Sequence, residues 1–177
     1  FNYNAPVVEH QASLSGGTDK LSYYLSFGYL YNEGIIGGNY KRSNYDRYSA
    51  RSNTTYTFFE NKDRNWMRNF RGGVNMAYSR TLSLSITENS ERGSVLGSAV
   101  SMSPMMQVYA DDPKAVLAEH PGAVTDFDGN VYAIAGDEFG NMVNPLASLS
   151  LPGDKSKSDK FVGNVFGELE LFKGLKF

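Results

Sequence analysis

The fold class is decided by one stretch of the chain, Leu21-Ser22-Tyr23-Tyr24-Leu25-Ser26-Phe27-Gly28-Tyr29-Leu30-Tyr31. Every odd position carries a large apolar or aromatic side chain, whereas three of the even positions carry Ser or Gly. Successive side chains of a strand point to opposite faces, and an amphipathic helix would repeat its apolar residues every three or four positions instead. The stretch therefore predicts a β-strand with one apolar face.

The same alternation recurs along the chain and predicts five strands. They lie near residues 7–15, 21–32, 44–59, 67–82 and 160–172, and Leu175-Lys176-Phe177 looks like the start of a sixth. The second face of these strands is polar and carries Arg47, Arg51, Asn53, Arg71, Asn75, Asn164, Glu168 and Glu170. Such charges would cost several kcal/mol each if they were buried bare in a sandwich core, but little beside water.

The connections between the strands alternate in length. Gly16–Lys20 and Glu60–Asn65 are short, Glu33–Ser43 is longer, and residues 83–159 form a very long segment. Aromatic residues gather at both ends of the strands, with Tyr23, Tyr24, Tyr56, Phe58, Phe59, Trp66, Phe70 and Phe172 beside the short turns and Tyr29, Tyr31, Tyr45, Tyr48 and Tyr78 beside the long loops. Outer-membrane barrels have short turns on one side, long loops on the other, and two aromatic girdles.

Composition bounds the function classes. The 177 residues include 12 Tyr and no Cys, and the formal net charge is −2. Such a balance gives no support for nucleic-acid binding, and the lack of Cys excludes disulfides and thiolate metal sites. No apolar run approaches the roughly 18 residues of a membrane-spanning helix. A spanning strand shows lipid only every second residue, so the negative mean hydropathy is compatible with a barrel.

We therefore predict an all-β chain, an antiparallel transmembrane β-barrel segment of about five to six strands with one very long outer loop. Residues 1–177 would belong to one barrel domain, with the loop near residues 83–159. The alternative is a soluble β-sandwich carbohydrate-binding module, which would need a second sheet packed on the aromatic face.

Several short motifs also resemble one family. They are Ser15-Gly16-Gly17, Tyr23-Tyr24, Gly28-Tyr29-Leu30, Asn32-Glu33-Gly34-Ile35-Ile36, Tyr40-Lys41-Arg42, Met102-Ser103-Pro104-Met105-Met106, Asn144-Pro145, Gly163-Asn164-Val165 and Lys173-Gly174-Leu175-Lys176-Phe177. Their order and combination resemble the barrel of SusC/RagA-type TonB-dependent transporters of Bacteroidota. The resemblance covers most of the chain except residues 114–137.

The resemblance implies a multi-pass protein of the bacterial outer membrane with a barrel of about 22 strands around a plug. It implies import of glycans or peptides, driven by the TonB complex, with a SusD-like surface lipoprotein as partner and outer-membrane lipid around the barrel. About five strands cannot close a barrel, and open edges are not viable in lipid. We therefore expect a fragment of a longer protein, with the plug domain and the TonB box absent from it.

The long loop is expected to carry binding, because loops on rigid scaffolds commonly do. Asp112 before Pro113 predicts a helix N-terminus, with the helix ending at Glu119, and Ser94–Ser103 favours a second short helix. Asp126-Phe127-Asp128-Gly129-Asn130 suggests either a calcium loop or a small hairpin that turns at Asp128-Gly129. Position twelve of an EF-hand from Asp126 would be Asp137 rather than Glu, which favours the hairpin.

Contacts with cargo or partner are predicted for nine loop residues. Tyr109, Phe127, Tyr132 and Phe139 offer rings for stacking, Asp111, Asp112 and Asn144 offer polar anchors, and Met105 and Met106 offer an adaptable apolar surface. Glu168 and Glu170 share a strand face but are better explained as lumen-facing charges than as a glycosidase pair. His10 and His120 lack a partner in the sequence, so we predict no enzyme, no catalytic residue, no cofactor and no metal.

Overall fold

The strands of the protein form one open antiparallel sheet. A computed structural model describes residues 1–37, 40–61, 63–86, 93–140 and 142–177. The six strands pair in chain order, so that β1 and β6 form the two edges. They are β1 Val7–Gly17, β2 Leu21–Glu33, β3 Asn44–Glu60, β4 Asn69–Ser85, β5 Asp154–Phe172 and β6 Leu175–Lys176. The prediction of an all-β antiparallel segment with five to six strands is confirmed.

The strands are long, and tight turns link the first two and the last two. At the β1–β2 turn the Thr18 amide donates to the Leu21 carbonyl (2.7 Å). At the other edge Leu169 and Phe177 exchange backbone hydrogen bonds of 2.9 and 3.0 Å across Gly174, whose φ of 86° favours glycine. Strands β1 to β5 have 11 to 19 residues, well above the usual length of about six.

The predicted strand ends need correction. β5 begins at Asp154 rather than near 160, β4 spans Asn69–Ser85 rather than 67–82, and β1 runs on to Gly17. The loop between β4 and β5 is correspondingly shorter than the predicted 83–159. The early part of β5, Asp-Lys-Ser-Lys-Ser-Asp-Lys, is polar on both faces. An alternation of apolar and polar residues therefore could not reveal it.

The chain divides into two compact units. We call Val7–Tyr31, Asp46–Leu82 and Lys157–Phe177 the sheet unit, and Phe1–Pro6, Asn32–Tyr45 and Ser83–Ser156 the loop unit. Every buried hydrophobic residue in the described part of the chain belongs to the loop unit: Ile86, Val95, Val131, Tyr132, Ala135, Ala147 and Leu149. The sheet unit as described therefore has no hydrophobic core of its own.

One face of the sheet unit is apolar and carries rows of aromatic rings. Tyr29 packs between His10 and Tyr48, with ring centroids 6.4 and 5.0 Å away. Toward the other end of the strands Phe58 stacks on Phe70 at 4.9 Å. Large side chains on this face remain exposed: Leu14, Phe27, Tyr48, Tyr56, Phe58, Met76, Tyr78, Leu82, Phe161 and Val165. We call this surface the apolar face.

The opposite side of the sheet unit, the polar face, carries ion pairs. Arg71 lies 2.7 Å from Glu168, and Lys176 reaches the other oxygen of the same carboxylate at 3.3 Å. Glu170 pairs with Arg68 at 3.5 Å. The two carboxylates that share this strand face thus each have a cationic neighbour, as expected for structural charges.

The loop unit builds its own small core. It holds helices α1 Val95–Ser101, α2 Pro113–Glu119 and α3 Pro145–Ser150, and a 3-10 turn at Asp137–Phe139. Val95 and Leu149 are buried together with Ile86, and Ile36 and Leu146 pack against them. The two predicted helices are confirmed, and α3 was not predicted. Within the described residues, no helix has both the length and the apolar character needed to cross a bilayer.

Candidate functional site

The centre of the loop unit is Tyr132, which is only 1% exposed. Its segment lies between two other extended pieces of the loop. The Tyr132 amide donates to the Val124 carbonyl (3.0 Å), and the Ala133 amide donates to the Val108 carbonyl (3.0 Å). These backbone bonds fix the segment on both sides, so the Tyr132 ring has a defined position.

Aromatic side chains gather around this ring. Tyr109 stacks on Tyr132 with centroids 5.2 Å apart and planes 18° apart, and Tyr40 packs against Phe127 at 6.0 Å. The Tyr132 hydroxyl lies 2.9 Å from the Tyr40 hydroxyl and accepts a hydrogen bond from Ser150 Oγ (2.9 Å). The hydrogen bond with Tyr132 raises the pKa of Tyr40. We call Tyr40, Tyr109, Phe127 and Tyr132 the aromatic cluster.

A tight turn beside the cluster is held by Asp126. Its Oδ1 accepts from the amides of Asp128 (2.9 Å) and Asn130 (2.8 Å), and its Oδ2 accepts from Asn130 Nδ2 (2.9 Å). Thr125 pairs with Val131, and Gly129 has a φ of 88°. The predicted hairpin is confirmed, and both carboxylate oxygens that a calcium ion would need already accept hydrogen bonds from the turn.

Hydrogen bonding sets the charge states in this turn. The Asn130 side chain is the main reason why the pKa of Asp126 falls to about 2. Hydrogen bonding to the same carboxylate raises the pKa of Tyr109 to about 12. At neutral pH the pair therefore consists of an ionised carboxylate and a protonated phenol.

A cleft of about 590 Å³ opens in the loop unit, a volume typical of small-ligand sites. Its lining is mainly apolar and includes Val124, Ile134 and Val143. Two of the predicted contact residues, Tyr132 and Asn144, also line it. The sequence had not indicated that these two residues share a cavity.

The nine predicted contact residues differ in exposure and in structural role. Tyr109 and Phe127 are 41% and 82% exposed, and Met105 is 83% exposed. Asp111 is also exposed, while Met106 and Phe139 are half-buried. Asp112 and Asn144 act as N-caps, because Asp112 Oδ1 accepts from the Lys114 amide and Asn144 Oδ1 accepts from the Leu146 amide. Direct ligand contact by any of the nine stays a prediction.

Two of these residues serve the structure of the site. Tyr132 is buried, and Asn144 is 7% exposed with its Nδ2 donating to the carbonyls of Val108 (3.0 Å) and Ala133 (3.2 Å). These contacts leave both side chains little free surface. Tyr132 stacks on Tyr109, and Asn144 joins the segments that contain Val108 and Ala133.

Sequence reasoning missed several residues that build the site. Tyr40 and Ser150 complete the hydroxyl network, and Arg42 donates from Nε to the Leu149 carbonyl (3.0 Å) and from Nη2 to the Ser150 carbonyl (3.2 Å). Tyr40 and Arg42 belong to a motif that the family resemblance had singled out. The signal for α3 was present too, since Asn144-Pro145 repeats the cap-and-proline pattern of Asp112-Pro113.

The polar face of the sheet unit carries a separate pocket of about 210 Å³. Ser26, Gly28 and Ser49 are among its lining residues, and Ser26 is 7% exposed. The lining also includes four charged or polar residues: Glu9, Gln11, Arg47 and Arg51. Small residues on the two neighbouring strands β2 and β3 thus leave a polar depression where larger ones would fill the space.

The amino-acid sequence is similar to those of two TonB-dependent receptors. No protein-family model matches the chain. It is 31% identical over 163 residues to the TonB-dependent receptor SusC of Bacteroides thetaiotaomicron, a match that covers 89% of this chain and 15% of that protein. It is 23% identical over 172 residues to the TonB-dependent receptor P3 of Formosa agariphila, covering 94% of this chain and 14% of that protein.

The chain is similar to TonB-dependent receptors. The similarity runs through nearly all of it, including both the sheet unit and the loop unit. The chain spans only about 15% of the length of the relative in Bacteroides thetaiotaomicron. Both relatives are named as receptors.

Proposed function

We propose that this chain is part of the barrel wall of a TonB-dependent transporter in a bacterial outer membrane. The whole protein would import oligosaccharides or peptides, together with a SusD-like surface lipoprotein and with energy supplied through TonB. The observation that carries the proposal is the sheet unit, which exposes large apolar side chains on one face and charged side chains on the other. Similarity to two TonB-dependent receptors supports the same assignment.

The apolar face suits contact with lipid. Phe27, Phe161 and Val165 are 61%, 68% and 80% exposed, and each would gain about 1.5–3 kcal/mol on full burial. Soluble monomers rarely expose such a continuous apolar surface. Two levels of aromatic contacts, at Tyr29–Tyr48 and at Phe58–Phe70, correspond to the girdles of membrane barrels.

The polar face suits a wet interior. Arg71 and Glu168 form an ion pair there with side chains 44% and 27% exposed. The exposed edges β1 and β6 are consistent with further strands from the rest of a longer protein, since unpaired edges are costly in lipid.

The loop unit supplies surfaces suited to cargo. Tyr109 and Phe127 present exposed rings, and the contacts with Tyr132 and Tyr40 hold these rings in fixed orientations. Aromatic faces stack on sugar rings and pack against peptide side chains. A ring whose orientation is already fixed loses less conformational entropy when a ligand binds.

The alternative is the soluble β-sandwich carbohydrate-binding module. It requires a second sheet that covers the apolar face. The part of the chain that the structure describes forms one sheet of six strands. The exposed aromatic rows on that sheet favour lipid over a second protein layer.

Fractionation of cells that express the full-length protein tests the proposal. We expect the protein in the outer membrane, with a gel mobility that changes on heating because folded barrels resist denaturation by detergent. A protein that is soluble and monodisperse without detergent would overturn the transporter assignment and favour the sandwich module.

Cargo contact is tested by growth on single nutrients. We expect Phe127→Ala to slow growth on the transported class, oligosaccharide or peptide, without reducing the amount of protein in the membrane. Leu117→Ala is the matched control, because Leu117 is also exposed in the loop unit, on α2. Equal growth of the two variants would remove Phe127 from the proposed contact surface.

A further inference from the structure

A cluster of charged side chains lies on the apolar face, near the end of β4 that leads into the long loop. Arg80 Nε lies 2.7 Å from Asp159 Oδ1, and Lys157 Nζ lies 3.8 Å from Asp159 Oδ2. The Tyr78 hydroxyl donates to the same Asp159 Oδ1 at 2.6 Å. Alternation along β4 and β5 places all four residues on the face that also carries Met76 and Phe161.

We call the contacts of Tyr29 with His10 and Tyr48 the upper aromatic level. The charged cluster lies just beyond this level. Tyr78 contributes to the same surface depression as His10, Tyr29 and Tyr48. Arg80 follows Tyr78 by two residues, which is roughly 7 Å further along the strand. Tyrosine rings prefer the headgroup level of a bilayer. A cation one step beyond them reaches the depth at which lipid phosphates lie.

The cations of the cluster have unused capacity. Asp159 engages Arg80 through Nε, which leaves N–H donors on the two Nη atoms outside that hydrogen bond. The side chains of Arg80 and Lys157 are 43% and 57% exposed. Two cations and one carboxylate give the cluster a net charge of +1. Guanidinium groups bind phosphate through two parallel hydrogen bonds.

We propose that Arg80 and Lys157 form a binding site for the phosphate of an anionic lipid headgroup on the outer surface of the barrel. Asp159 and Tyr78 are positioning residues that hold Arg80 across the strand pair. The inference goes beyond transport and rests on the proposed function, because only a sheet surrounded by lipid presents this face to headgroups.

Native mass spectrometry of the full-length protein in detergent tests the site. The probes are lipid A, phosphatidylcholine and inorganic phosphate. We expect lipid A to bind, and to bind about fivefold more weakly for each cation removed in Arg80→Gln and Lys157→Gln. Arg71→Gln is the matched control, since it removes an arginine with the same kind of ion pair from the polar face.

Three outcomes would overturn the inference. The first is equally tight binding of lipid A by the wild type and by the variant that combines Arg80→Gln with Lys157→Gln. The second is binding of phosphatidylcholine as tight as that of lipid A. The third is displacement of lipid A by inorganic phosphate at equal concentration, which would assign a site for free phosphate. Fractionation of the same strains separates this inference from the proposed function. A wild-type protein absent from the outer membrane contradicts the transporter, whereas a membrane-resident protein with unchanged lipid binding contradicts the headgroup site alone.

Discussion

An arginine placed at Val165 tests whether the apolar face contacts lipid. Val165 is 80% exposed on this face, whereas the preceding residue, Asn164, is exposed on the polar face. The two positions therefore differ in the face they occupy and hardly at all in their level along β5. In a soluble open sheet, a substitution at either exposed position would change stability by no more than about 0.5 kcal/mol.

The depth of Val165 gives the size of the effect. From Asp159, just beyond the upper aromatic level, to Leu171, beside the lower turn, the strand rises roughly 41 Å along its own axis. A tilt of about 45° reduces this to roughly 29 Å, which matches a bilayer core. Val165 lies midway between those two residues. Arginine on the lipid face at the midplane costs about 2–4 kcal/mol.

The assay is folding of the full-length barrel into lipid vesicles across a urea series, read from heat-dependent gel mobility. We expect Val165→Arg to reduce the folding equilibrium constant by roughly thirty- to several-hundredfold, and Asn164→Arg to leave it nearly unchanged. Leu171→Arg, near the interface, should cost about 0–1 kcal/mol. Equal effects at 164 and 165 would refute lipid contact. A cost at Leu171 as large as that at Val165 would indicate a buried protein core in place of a bilayer.

Two further predictions concern the loop unit. Because the hydrogen bond to Asp126 holds the pKa of Tyr109 at about 12, we expect Tyr109 to resist nitration at pH 9. Asp126→Asn should speed the nitration of Tyr109 relative to that of Tyr3, which is 95% exposed. Peptide mass spectrometry measures the nitration of both residues, and an unchanged ratio would contradict the assigned hydrogen bond. The ionised Asp126 carboxylate should stabilise the turn above about pH 4, and this stabilisation should be lost as the pH falls through about 2. The protonated Tyr109 phenol should contribute stability below about pH 10, and this stability should be lost as the pH rises through about 12. Asn144→Ala should destabilise α3 by about 0.5–2 kcal/mol through loss of its cap, measured as faster hydrogen exchange in residues 145–150. Asn144→Asp keeps the cap acceptor and loses both side-chain donors, so exchange as slow as in the wild type would show that the cap alone matters.

The strands could be predicted because each of them has two chemically different faces. In Leu21–Tyr31 every odd position is large and apolar or aromatic, and the observed strand begins at the predicted residue, Leu21. The start of β5 could not be predicted in this way, because Lys155, Lys157 and Lys160 give its first residues a polar character on both sides. Alternation reports contact with an apolar medium, and it disappears where both faces of a strand meet water.

The candidate site was only partly predictable, because its contacts join distant parts of the chain. Local signals found the cap at Asp112 and the turn at Asp128-Gly129, since both depend on neighbouring residues. The hydroxyl contact between Tyr40 and Tyr132 spans 92 positions, and the Arg42 contact with Leu149 spans 107. No periodicity in a single sequence encodes such a pairing.

The different cores of the two units follow from the surroundings that we propose for each. A sheet in lipid needs no packed interior, because lipid removes its apolar side chains from water, and the described sheet unit lacks buried hydrophobic residues. A long loop in water has no such support, and its backbone polar groups must find partners within it. Ile86, Val95 and Leu149 provide a core for the loop unit, and Asn144 joins two of its segments through carbonyl contacts. A loop built in this way can present Tyr109 and Phe127 in fixed positions before cargo arrives.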